Sequence, residues 1–121
     1  MRGYKLVQEK SGWRFDLIPS NNHQPVGWSK LFDTYEGCVE GLKMFRELVI
    51  TNAIDTLDSP FVRVIYGEKG AYFEYCIDDT MIFRSREYFT SYPRNACKKS
   101  ISSIYQRFDE YTTNRITEGK K

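Results

Sequence analysis

The chain is poor in histidine and cysteine, with 1 His and 3 Cys among its 121 residues. A single histidine, His23, excludes a two-histidine metal site and any relay between two imidazoles. Cys38, Cys76 and Cys97 are odd in number and contain no Cys-x-x-Cys pair. Neither a disulfide framework nor a zinc site is therefore expected, and reduced, buried thiols are. Glycine motifs that cradle phosphate are also missing, since neither Gly-x-Gly-x-x-Gly nor Gly-Lys-Ser/Thr occurs. The longest aliphatic stretch, Leu48-Val49-Ile50, is far short of the roughly 20 residues that cross a bilayer. Met1-Arg2-Gly3-Tyr4-Lys5 is not followed by an apolar leader core, so a cytoplasmic protein without membrane contact is expected. Neither sign of charge dominates: 18 Lys and Arg face 16 Asp and Glu, for a net +2. That balance does not identify a polyanionic partner.

Aromatic rings are what the chain has in quantity, with 9 Tyr, 8 Phe and 2 Trp, or 16% of residues. Rings suit strands and cores. They fall into a pattern that is written twice, over residues 4–49 and 61–108. Each half opens with an extended segment, Tyr4-Lys5-Leu6-Val7 or Val62-Arg63-Val64-Ile65, and reaches a turn at Ser11-Gly12 or Lys69-Gly70. Alternating strands follow, Trp13-Arg14-Phe15-Asp16-Leu17 and Ala71-Tyr72-Phe73-Glu74-Tyr75. Their period of two marks half-buried strands. A loop of turn residues from Pro19 to Pro25, or the short Asp78-Asp79-Thr80, leads to a third strand, Val26-Gly27-Trp28-Ser29 or Ile82-Phe83-Arg84-Ser85.

Each half ends in a helix. Asp33 and Glu36 are spaced as a capping box at the start of the first, and Pro93 suits the first turn of the second. Cys38, Leu42, Phe45 and Val49 form one stripe at helical spacing; Cys97, Ile101, Ile104 and Phe108 repeat it. Gly41 and Ser100 hold matching places inside the stripes. A small residue there is expected to let the helix approach a sheet closely. Three strands and a helix make a marginal core alone. The expected fold is therefore α+β: two tandem β-β-β-α repeats forming one antiparallel sheet with both helices packed on one face. The whole chain, 1–121, is one domain: repeat 4–49, a polar linker 50–60, repeat 61–108, and a tail 109–121 with little to anchor it in a core.

The segment from Asn22 to Phe32 and the segment Ser85-Arg86-Glu87-Tyr88 resemble the Ser-x-x-aromatic signature of the YegP-like family. Cys38-Val39-Glu40-Gly41-Leu42 and the run from Cys97 to Ile104 are similar to that family's helix pattern, Ala-x-x-Gly-Ile-x-Ser-Val. The likeness covers both halves. It implies a small uncharacterised bacterial protein with a single antiparallel sheet built from two intertwined β-β-β-α units. It brings no activity and no catalytic residues.

Each chemical candidate has a structural explanation. Asp78-Asp79 suits a hairpin turn better than a carboxylate pair. Ser29 and Ser85, at equivalent strand ends, are expected to bond neighbouring backbone. A site near His23 would need a carboxylate and Ser29 or Ser85 brought to it by folding. No catalytic residue, metal ligand or cofactor is expected. The remaining candidate is the sheet face away from the helices, where Lys5, Arg14, Arg63 and Tyr72 would present cations and a ring. The first reading is a non-enzymatic interaction module whose partner is another protein or a second copy. A nucleic-acid binder using that face is the alternative, disfavoured by Asp16 and Glu74 in its midst. A small-molecule enzyme with a site near His23 is a distant third.

Overall fold

The computed structural model describes residues 3–18 and 24–108 in full, and 117–118 as backbone. Three strands, β1 (Gly3–Glu9), β2 (Gly12–Ile18) and β3 (Gly27–Ser29), precede helix α1 (Tyr35–Thr51). Three more, β4 (Val62–Tyr66), β5 (Ala71–Ile77) and β6 (Thr80–Ser85), precede α2 (Pro93–Gln106), and β7 (Thr117–Glu118) closes the order. One sheet holds all the strands in the order β4-β5-β6-β3-β2-β1-β7. The first six pair antiparallel, and β7 lies parallel to β1. This is the expected α+β arrangement. The two β-β-β-α units meet where β3 pairs with β6, so neither unit has a sheet of its own.

Alternation decides which face is buried. Phe15, Leu17, Phe73 and Tyr75 are fully buried on the helix side, together with both helical stripes from Cys38 to Val49 and from Cys97 to Phe108. Rings at the centre interlock across the seam: Phe45 of α1 stacks on Phe83 of β6 at 4.4 Å and meets Tyr75 edge-on at 5.1 Å. Asp78 and Asp79 take positive φ of 50° and 65° in a two-residue hairpin loop, the twist that matches flanking strands.

Several expectations change in detail. The α1 cap is Thr34 rather than Asp33, because Thr34 has extended backbone and its Oγ1 accepts the Gly37 N–H at 2.9 Å. Pro93 does occupy the start of α2. The linker is not merely polar: Ile54 and Leu57 are buried, and α1 runs on to Thr51 before it begins. Thr117 and Glu118, for which the sequence offers no core partner and leaves a further strand open, pair with Lys5 and Leu6. Strand pairing uses backbone N–H and C=O groups, so a polar segment can cover a sheet edge.

Gly41 and Ser100 also have a different purpose from the one expected. Each receives the aromatic residue that follows the third strand of its own half. A Cβ on Gly41 would collide with the Phe32 ring, whereas the Tyr88 hydroxyl donates to Ser100 Oγ at 2.6 Å. The small residue makes room for a side chain whose own residue is bridged to the sheet, Phe32 to Trp13 and Tyr88 to Ala71.

The Tyr75 hydroxyl is buried without a hydrogen-bond partner among the described residues, and burial pushes its pKa far above the ordinary phenol range. Removing an uncompensated buried hydroxyl while keeping the ring recovers its desolvation cost. Tyr75→Phe is expected to raise unfolding free energy by about 1 kcal/mol, read as a higher urea midpoint at unchanged slope. A lower midpoint would mean that the hydroxyl is bonded in solution.

Candidate functional site

The pleat that buries the rings sends their neighbours to the helix-free face. Register places one residue from every antiparallel strand in a single cross-strand row: Arg63, Glu74, Arg84, Trp28, Asp16 and Lys5. At its centre the Arg84 guanidinium lies 3.7 Å from the Tyr72 ring centroid and 5.0 Å from that of Trp28. The Arg84 Nε donates to the Ser85 carbonyl at 2.9 Å, which fixes the plane of the group. A guanidinium held between two rings gains cation–π attraction and is already ordered before any partner arrives.

Carboxylates flank this stack on both sides. Asp16 accepts from Arg14 Nε at 2.7 Å, and Arg14 also pairs with Glu9. Glu74 accepts from Arg63 Nε at 2.9 Å, and that bond holds the Arg63 guanidinium more firmly protonated. Asp16 and Glu74 are themselves largely buried, at 4% and 9% exposure. Each is a buried charge compensated by a neighbouring cation.

The four residues singled out from sequence all lie on this face, but they form two groups. Arg63 and Tyr72 belong to β4 and β5; Lys5 and Arg14 belong to β1 and β2. Between Tyr72 and Arg14 stand β6 and β3, so three strand steps of roughly 4.8 Å separate them by about 14 Å. The residues that join the groups, Arg84 and Trp28, were missed. Their one available signal was that both precede the paired serines, Ser29 and Ser85.

The nucleophile candidates are tied up in structure. Ser29 Oγ accepts the Phe15 N–H at 2.9 Å and donates to the Lys30 carbonyl at 2.7 Å. Ser85 does the same for Phe73, at 3.0 Å, and for Arg86, at 2.8 Å. The bonds to Lys30 and Arg86 are the neighbouring-backbone bonds expected from the sequence; the bonds from Phe15 and Phe73, which stitch each third strand to its second, were not foreseen. Burial, with the Asp16 charge adding to it, pushes the Cys38 thiol up to about 11. It raises Cys76 and Cys97 as well, so all three remain thiols rather than nucleophilic thiolates near neutrality. His23 lies outside the described residues. No group of three or more His, Cys, Asp and Glu suited to a metal ion occurs among the described residues. No helix among them is long and apolar enough to cross a membrane.

Comparison with known proteins finds the same architecture in a solved structure. No family model and no curated protein matches the chain. The solution NMR structure of yegP from E. coli, a protein of unknown function, superposes with a TM-score of 0.66 at 16% identity. The match covers 98% of this chain and 95% of that one. The two share a fold, in keeping with the resemblance noted in the sequence.

Proposed function

We propose that this chain is a non-enzymatic interaction module that binds a protein surface through its helix-free sheet face. The observation that carries the reading is the Tyr72–Arg84–Trp28 stack at the centre of that face. Tyr, Arg and Trp are the residues in which interface binding energy concentrates, above all where they are half-buried and rigid. An open sheet face suits a protein better than a small molecule, which needs a concave site. The pairing of Arg14 and Arg63 with Asp16 and Glu74 favours a partner of mixed charge over nucleic acid, because a neutralised cation releases few counterions from phosphate. The engaged serines and protonated thiols support a binding role over nucleophilic catalysis.

The test is affinity capture with wild type and Arg84→Ala, identifying proteins and nucleic acids, followed by titration of the captured species. A protein partner whose affinity falls about tenfold or more in Arg84→Ala, with little salt dependence, supports the proposal. Retention of nucleic acid with affinity falling steeply as salt rises, lost in Arg14→Ala with Arg63→Ala, would install the nucleic-acid reading instead. Turnover in a hydrolase and transferase screen that His23→Ala abolishes would overturn the non-enzymatic assignment.

A further inference from the structure

Six polar side chains meet in a cleft of ≈ 420 Å³ between α2 and the segment after β6: Arg86, Lys99, Arg107, Tyr88, Ser100 and Ser103. Three are cations and three are hydroxyls. Among the described residues no carboxylate lines the cleft and none of the three cations makes an ion pair. Helical spacing sets the site. Lys99, Ser100, Ser103 and Arg107 lie three, four and seven or eight positions apart, so they share one side of α2 and its C-terminal end. Arg86 reaches in from the strand side, its guanidinium 4.9 Å from the Tyr88 ring centroid. Because Tyr88 donates its hydroxyl proton to Ser100 Oγ at 2.6 Å, the Ser100 proton is left to point elsewhere.

The first half of the chain supplies an internal comparison. Aligning the two helical stripes, Cys38 on Cys97 and Val49 on Phe108, sets Glu40 against Lys99, Gly41 against Ser100 and Met44 against Ser103. Aligning Ser29 on Ser85 sets Lys30 against Arg86 and Phe32 against Tyr88. Lys30 even sits over the Phe32 ring, at 5.5 Å, as Arg86 sits over Tyr88. One scaffold thus appears in two versions. Where they differ, the second half replaces an acid with a cation, and a methionine, a glycine and a phenylalanine with hydroxyl-bearing residues. Arg107 stands against Leu48, which is buried, so packing differs there; at the other positions the first half packs without the added cation and hydroxyls.

The geometry points to a binding site for a phosphomonoester in this cleft. A dianionic phosphoryl group accepts hydrogen bonds at three oxygens, and cations with hydroxyls are the donors that satisfy it. Val26, Ala96 and Ile104, with the Tyr88 ring and the stems of the basic residues, make most of the wall apolar, which suits an ester carrying an apolar body better than free phosphate.

Titration of the ¹⁵N-labelled full chain with phenyl phosphate, and separately with inorganic phosphate, tests this. Phenyl phosphate is expected to saturate with shifts concentrated at Tyr88, Lys99, Ser100 and Arg107, and to bind more tightly than inorganic phosphate. Lys99→Glu, which copies the residue of the first half at an exposed position, is expected to raise Kd about tenfold or more. Ser100→Gly is expected to weaken binding several-fold, with its backbone spectrum otherwise unchanged. Shifts spread equally over Arg94 and Lys98, or an unchanged Kd in Lys99→Glu, would overturn the site. Equal affinity for the two probes would overturn the phosphomonoester assignment.

Discussion

Phe45→Ala is expected to lower the unfolding free energy by about 3–5 kcal/mol, the usual cost of emptying an aromatic site in a closed core. Phe45 is fully buried and touches four other rings. It stacks on Phe83 at 4.4 Å, meets Tyr75 at 5.1 Å and Phe108 at 5.7 Å, and lies 5.8 Å from Phe15. Three of those belong to the second half of the chain. The substitution therefore removes dispersion and aromatic contacts that tie α1 to the other unit, besides those to its own β2. A urea titration followed by far-UV circular dichroism and by tryptophan fluorescence measures the loss. Both probes should move together, because Trp13 and Trp28 lie in the first half while helix signal comes from both. A loss below about 0.5 kcal/mol, the scale of an ordinary surface change, would show that α1 is not seated as described.

Gly27→Ala is expected to be nearly as damaging, and for the opposite reason. Gly27 sits in β3 where that strand pairs with β6 across the seam. A methyl group added there would meet the Arg84 carbonyl oxygen and lie 2.6 Å from Phe83 Cε1. The carbonyl is backbone within the seam, and the Phe83 ring is held by Phe45 and Tyr75. Neither neighbour can withdraw without disturbing others, so the cost should reach the upper end of overpacking, about 3 kcal/mol. Thermal unfolding supplies the comparison, with Tm expected to fall for Gly27→Ala and to rise for Tyr75→Phe. An unchanged Tm in Gly27→Ala would mean that the strands at the seam lie farther apart than this register allows.

The sequence carried the local elements well. Two stripes at four-three-four spacing marked the helices, alternation marked the buried faces of β2 and β5, and Asp78-Asp79 marked a turn. These signals depend on backbone periodicity and on residues close in the chain, so each can be read without knowing its partners. The matching serines were legible for a related reason: hydroxyls at strand ends bond nearby backbone. Thr34 was overlooked as a cap because Asp33, one position earlier, carries the same chemistry, and only the backbone dihedrals distinguish them.

The candidate site was half legible. Lys5, Arg14, Arg63 and Tyr72 lie on the helix-free face because alternation alone determines the side to which a strand residue turns. How they are grouped across that face depends on strand order. By itself the sequence determined that the chain holds two β-β-β-α units and which residues each unit turns inward. Only the tertiary structure decided that β3 and β6 adjoin, which brings Arg84 and Trp28 together although 56 residues separate them. It also decided that the two versions of the helix–aromatic contact diverge into a packed ring on one side and a cationic cleft on the other. Strand pairing between distant segments is selected by the whole buried surface at once, and no short stretch of the chain encodes it.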